Sequence, residues 1–436
     1  MAATSPPPRP ADAPLRLRRP NRDQVTPVPA YLDALLPDDH LARLLWAAVE
    51  RLDLAAFAAG LIVVEGGPGR AAADPQLLVA LWRYATTQGV TSARALARLC
   101  VEHVAYLWLC GGVAVNYHSL SDFRVRHEAA LDGLMTQVLG RLHHGGLIAF
   151  EQVAQDGVRV RASAGAASFH RQATLERSLA EAEALLAAVR AAAGPPDDDP
   201  PPGARARAAR ERAARERVAR VEAALAALPA AQAAKPAGKR AQARVSETDA
   251  EARVMKMADG GFRPAYNIQL AADTAHQVIV GVAVSTSGSD TAQAPEMVAQ
   301  VRRRLDRLPA DWLMDGGFAG LAAIERASAE GVRVLAPVPA PKDPARDPHR
   351  PLPADSAVLA AWRVRMGTED AKMTYRLRAA TIECVNAQAR SQYGLLLLRV
   401  RGRAKVRGVA LWLALAHNLR LWVHHQPAVA PPARAA

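Results

Sequence analysis

The stretch DWLMDGGFAG, Asp311 to Gly320, decides the reading of the fold. An apolar run, Trp312-Leu313-Met314, meets the carboxylate of Asp315, and two glycines follow. Asp-Gly is ordinary turn chemistry, so Asp315 has a structural reading. It also has a functional one: a carboxylate at the end of a buried strand, with a small-residue turn beside it that lets another backbone approach. The neighbouring sequence must choose between them.

Downstream, GLAAIERASAEG (320–331) has helical spacing, and VRVLAPV (332–338) reads as a strand. Upstream, TAQAPEMVAQVRRRLDRL (291–308) is a helix with Thr291 as a candidate cap. Before it, YNIQLAAD (266–273) and HQVIVGVAVS (276–285) are two strands turning at Thr274-Ala275. FEQVAQDGVRVRASAG (150–165) is a strand, or two with a turn at Asp156-Gly157. EDAKMTYRLRAATIECVNAQARSQYG (369–394) reads as one long helix, and VALWLALAHNLRLW (409–422) as a final apolar one. From Asp156 the order is strand, helical insert, strand, strand, helix, strand, helix, strand, helix. That pattern makes a mixed α/β sheet covered by helices.

The insert lies after the first strand. Residues 175–234 are rich in Ala, Arg and Glu and are broken by GPPDDDPPPG, which predicts a helical hairpin with a disordered tip. Residues 38–145 read as several short capped helices. They suit a DNA-binding helical module, with Arg94, Arg98, Arg124 and Arg126 as its cations, and equally an ordinary bundle. The expected division is a Pro/Arg-rich disordered tail at 1–27, a helical domain at 28–147, an α/β domain at 148–425 with its insertion at about 172–245, and a disordered tail at 426–436.

The chain of 436 residues carries a formal charge of +13. Its pI is near 10.2. Such a balance favours a polyanionic partner, most simply nucleic acid. Only six of the 55 basic residues are lysine, and arginine forks match phosphate oxygens. Three cysteines, Cys100, Cys110 and Cys384, fit no zinc spacing and suit a reducing compartment. No apolar signal core opens the sequence and no apolar run is long enough to span a bilayer, so the expectation is a cytoplasmic protein with no membrane partner. GGPGR (66–70) lacks the Gly-Lys-Ser/Thr ending of a phosphate-binding loop.

Three acids sit where rigid elements could converge them: Asp156 at the end of the first predicted strand, Asp315 after WLM, and Glu383 inside the long helix. Oxygen donors of this kind hold Mg²⁺, and a pair of ions suits phosphodiester chemistry. On the same helix Tyr375, Arg378 and Arg390 place an aromatic ring and cations near Glu383, suited to DNA phosphates. Other acids read as structural: Asp259 and Asp273 in turns, Asp290 near a helix start. In RVRGRAKVRG (399–408), Arg401, Arg403, Lys405 and Arg407 alternate with small or apolar residues. Extended, they would share one face that could track a phosphate backbone.

Together these motifs resemble a bacterial insertion-sequence transposase of the DDE type. QDGVRVRASAG resembles the family's first-Asp strand, RVMKMADGGFRPAYNIQLAAD its central strand pair, WLMDGGFAG its second-Asp strand, and YRLRAATIECVNAQAR its signature helix. NYHSLSDFRVRH resembles its N-terminal helical region. Tyr375, Arg378 and Glu383 match the signature, Arg390 stands where a lysine is usual, and the gap from Arg378 to Glu383 is one residue longer than its commonest form. The resemblance implies an RNase H-like catalytic domain. Asp156, Asp315 and Glu383 would hold two Mg²⁺ ions, with Mn²⁺ able to substitute. It also implies cleavage of element ends and strand transfer by a homodimer bound to terminal inverted repeats and target DNA near the nucleoid. A nuclease of the same fold that cuts without joining, and a non-catalytic DNA-binding descendant, are the alternatives.

Overall fold

The computed structural model describes residues 31–59, 61, 71–192, 204–318 and 320–425. Both expected disordered tails, the hairpin tip and GGPGR lie outside them.

The central sheet has six strands. β1 (Gln152–Arg161) lies in the middle, with short β2 (Phe169–His170) and β3 (Val245–Ser246) pairing separately outside the sheet. β4 (Arg253–Lys256), β5 (Phe262–Asp273), β6 (Ile279–Ser285), β7 (Asp311–Met314) and β8 (Arg333–Leu335) complete it in the order β4-β5-β1-β7-β8, with β6 also on β5. β1 is antiparallel to β5 and parallel to β7, and β7 is parallel to β8. The mixed sheet expected from the sequence is therefore present. Its strands differ in pattern for a physical reason. β7 is buried throughout and reads as the apolar run Trp312-Leu313-Met314, whereas β1 and the long, mostly buried β5 both alternate apolar residues with polar ones, among them the buried Asn267 and Gln269 of β5.

Two expectations need correction. β1 runs unbroken through Asp156-Gly157, so there is no turn there, and Asp156 lies mid-strand opposite Leu270. The basic stretch is not extended: helix α15 (Arg403–His425) starts inside it.

Ahead of the sheet come α1 (Leu41–Glu50), α2 (Ala55–Ala58), α3 (Pro75–Thr87), α4 (Ala93–Glu102), α5 (Val104–Cys110), α6 (Tyr117–Arg126) and α7 (Glu128–His144). Their starts follow the capping rules: Pro75 follows the capping Asp74, while Ser92 and Asn116 accept from Ala95 and Ser119 amides. The insertion pairs α8 (Gln172–Ala191) with α9 (Ala204–Ala233) over a small core of its own, including Leu175, Val221 and Leu228. α10 (Ala294–Leu305), α11 (Leu321–Ala329), α12 (Ala357–Gly367), α13 (Glu369–Arg378) and α14 (Cys384–Ser391) cover the sheet.

α15 joins the two halves. It packs on α1, α3, α6 and α7 and also on β5 and β6, and one apolar cluster runs through all of them. Polar contacts cross the same seam: Arg407 pairs with Glu128 at 2.7 Å and Asp132 at 2.6 Å, and Arg304 of α10 also pairs with Asp132. The core therefore has no break at the expected boundary near residue 147. Among the described residues no helix is long and apolar enough to cross a membrane.

Candidate active site

The β1–β7 register brings two acids together. The last paired residues are Gln155 and Met314, so Asp156 and Asp315 come next on adjacent parallel strands. Trp312 fixes this register by donating its indole N–H to Gln155 Oε1 at 3.0 Å, with both side chains buried. Asp315 also organises the turn, accepting the Gly317 amide at 2.8 Å. The turn reading and the site reading of this aspartate are thus compatible.

Asp156 is half-buried and accepts from the Gly157 amide at 2.8 Å and from Asn386 Nδ2 at 3.0 Å. Burial pushes its carboxyl up to about 6, and the negative charges of Asp315 and Asp290 push the same way, against the Gly157 amide and Arg378. A carboxylate held this way is short of positive charge, which a divalent cation would supply. Asn386 is buried in α14 and its Oδ1 has no hydrogen-bond partner among the described residues, leaving a neutral oxygen beside the acid. These oxygen donors fit a hard divalent ion.

Glu383 stands apart. Its side chain is 58% exposed and its Oε1 accepts from Arg378 at 2.9 Å. Among the described residues no group of three or more His, Cys, Asp or Glu side chains lies close enough together to hold a metal. The structure thus joins Asp156 to Asp315 and turns Glu383 toward Arg378.

The signature helix is not uniform. Residues Ala379–Glu383 form a π-turn between α13 and α14. In an α-helix, residues five apart point about 140° away from each other. In a π-turn they align, which is why Arg378 and Glu383 meet. The single extra residue between them, visible in the sequence, is absorbed there. Tyr375 lies on the same side, its ring 6.0 Å from the Arg378 guanidinium carbon. Burial raises the Tyr375 hydroxyl pKa; Arg378 opposes this, while Asp315 and Asp156 are near enough to add to it.

The remaining basic candidates divide by exposure. Arg390, Arg401, Arg403, Lys405 and Arg126 are exposed. Arg407 is committed to Glu128 and Asp132. Arg124 is buried, stacked 4.7 Å over Trp82 and donating to the Thr91 carbonyl, so it is a packing residue and not a surface phosphate ligand. Asp259 and Asp273 have the turn roles read from sequence, accepting the Gly261 amide and the Ala275 and His276 amides respectively. The helix expected to begin near Thr291 begins at Ala294, and Thr291 does not cap it. Sequence reasoning missed Asp290 and Asn386 as neighbours of Asp156. Asn386 carried a signal, its place one turn after Glu383; Asp290 carried none.

A mixed sheet that sets two acids side by side at adjacent parallel strands, with a third on a covering helix among an aromatic residue and arginines, is the arrangement expected of an RNase H-like enzyme of phosphodiesters. Comparison with known families specifies which. Residues 238–419 match the family described as "Transposase DDE domain", and residues 30–126 match "Transposase domain (DUF772)". The chain belongs to the DDE-type transposases of insertion sequences, enzymes that cut DNA, transfer its strands and use divalent metal ions. No curated protein and no solved structure matches it. Asp315 and Glu383 fall inside the matched residues. Asp156 lies before them, and its position beside Asp315 stands on the pairing of β1 with β7.

Proposed function

We propose that Asp156, Asp315 and Glu383 form the catalytic and metal-binding unit of this transposase, and that it cuts at the terminal inverted repeats of its own element. The observation that carries this is the adjacency of Asp156 and Asp315 across the β1–β7 register, beneath the helix bearing Tyr375, Arg378, Glu383 and Asn386. Two Mg²⁺ ions, with Mn²⁺ as a substitute, would neutralise phosphate oxygens and activate water or a 3′-hydroxyl. Asp156 and Asp315 offer fixed oxygens from rigid strands. Asn386 holds the Asp156 carboxylate in place. Arg378 keeps Glu383 engaged until a phosphate oxygen competes for the same guanidinium, and Tyr375 braces that arginine. Arg390, Arg401, Arg403, Lys405 and Arg126 supply exposed charge for DNA phosphates. The protein acts as a homodimer on DNA, in the bacterial cytoplasm at the nucleoid.

The test is a strand-transfer reaction with labelled DNA ending in the element's terminal repeat and a plasmid target. A joined product that needs Mg²⁺ and the authentic end, and that Glu383→Gln abolishes, is expected. Equal joining of a scrambled end, or by Glu383→Gln, would refute the assignment.

A further inference from the structure

We propose that Asp290 is a positioning residue for the metal centre, setting the relation of Asp156 to Asp315 from the side of β1 opposite the signature helix. The inference rests on the reading of those two acids as metal ligands. Side chains alternate along β1, so Gly157 and Arg159 point away from the face that carries Asp156. In register with them on β5 stand Gln269 and Asn267, both fully buried. Asp290 closes this pocket. Its Oδ1 accepts from Asn267 Nδ2 and from Gln269 Nε2, each at 2.6 Å, and its Oδ2 lies 3.5 Å from Arg159. Arg159 also donates to the Gly288 carbonyl at 2.8 Å, tying the same loop to β1.

The pocket explains the glycine. A Cβ on Gly157 would lie 2.5 Å from Asp290 Oδ1 and 2.6 Å from Asn267 Oδ1, so a side chain beside Asp156 would have to push this hydrogen-bonded cluster apart. The next residue reaches the other acid. Thr291 Oγ1 donates to the Gly317 carbonyl at 3.0 Å, in the turn that Asp315 itself organises. Two consecutive residues therefore fasten β1 and β5 on one side and the Asp315 turn on the other.

A carboxylate suits this place better than an amide. Three donors converge on it, and an asparagine would turn its own N–H₂ toward at least one of them. Asp290 also adds a negative charge that Asp156 feels. A cation held by Asp156 and Asp315 would feel it with the opposite sign. A purely structural residue would affect folding and leave the affinity of the folded protein for metal unchanged.

The experiment measures Mn²⁺ binding to the DNA-free full-length protein by electron paramagnetic resonance, for wild type, Asp290→Asn, Thr291→Val and Asp156→Asn, with metal-free melting as a folding control. Asp290→Asn is expected to raise the Mn²⁺ dissociation constant about tenfold, as removal of an outer-shell partner does. Thr291→Val, which removes the tether to Gly317 and a hydroxyl contact with Ser289 but leaves the Asp290 cluster intact, should shift it the same way by less, and keeps the test usable if Asp290→Asn does not fold. Nicking should follow, with the half-saturating metal concentration raised and the rate at saturating metal largely recovered. If Asp156→Asn weakens Mn²⁺ binding while Asp290→Asn and Thr291→Val leave it unchanged, the positioning role is wrong. If Asp156→Asn binds Mn²⁺ like wild type, the underlying assignment of the ligands is wrong, and this inference falls with it.

Discussion

Replacing Asp156 with asparagine should stabilise the metal-free protein while abolishing its chemistry. In the folded chain burial holds the Asp156 carboxyl at about 6 against an ordinary value of 3.8. The folded state therefore binds this proton more tightly than the unfolded state. Ionisation costs nothing below pH about 4, its cost grows between about 4 and 6, and it is complete above about 6. A shift of roughly two units is worth about 3 kcal/mol. With an unfolding entropy near 2 cal/mol/K per residue, that corresponds to about 3 °C in melting temperature for a chain of this length. The amide can keep the geometry, because Asn386 can rotate to present its Oδ1, which has no partner among the described residues, to the new N–H₂. The assay is thermal melting in chelator from pH 4 to 8. Asp156→Asn should melt higher than wild type at pH 8, with the gap closing as the pH falls to 4. Added Mg²⁺ or Mn²⁺ should raise the wild type more than the variant, since only the wild type retains both strand carboxylates. A variant less stable at pH 8, or a gap that does not change with pH, would refute this account of the carboxylate.

Three further outcomes follow from the same geometry. Neutralising the exposed Arg401, Arg403 and Lys405 together should reduce the log–log salt slope of duplex binding by up to about 2.7, at about 0.9 per contact; an unchanged slope would mean that these cations are only solvated. Arg83 is fully buried, burial lowers its pKa to about 9, and none of its three side-chain nitrogens has a partner among the described residues. Arg83→Leu should therefore raise stability by about 1–4 kcal/mol in urea titration, and a loss would reveal a partner for this charge. Deleting Ala379 should convert the π-turn to α-helix and bring Arg378 and Glu383 to a spacing of four residues, which still faces them together; nicking should survive, and its loss would show that the extra residue is required.

Much of the sheet was legible in sequence because it depends on local pattern. The strands read at YNIQLAAD, HQVIVGVAVS and WLM, the helical spacing before and after WLM, and the two helices of the insertion on either side of its Pro-rich break all survive in the structure. What was lost depended on distant packing. Asp156-Gly157 looks like a turn because glycine next to aspartate usually is one; here glycine is needed by Asn267, Gln269 and Asp290, more than a hundred residues away. The basic stretch alternates like a strand, yet Val406 and Ala410 continue the buried side of α15, and that burial outweighs the local alternation. Arg124 looks like a surface cation until Trp82 and the Thr91 carbonyl enclose it. The π-turn left only one trace, the extra residue between Arg378 and Glu383. Of the proposed site, Asp315 and Glu383 are singled out by their motifs and Asn386 is marked only by its place one turn after Glu383, while Asp290 comes near Asp156 only through folding.

The most direct test of the central claim is Mg²⁺-dependent nicking of labelled DNA carrying the element's end. It compares wild type, Asp156→Asn, Asp315→Asn, Glu383→Gln and Asp259→Asn under conditions where all bind that DNA equally. Asp259 is the control, an exposed acid that pairs with Arg263 in a turn of its own. Loss of nicking in each of the first three variants, with Asp259→Asn active, is the result expected. Substantial nicking by Asp315→Asn would contradict the account and leave that aspartate an ordinary turn residue.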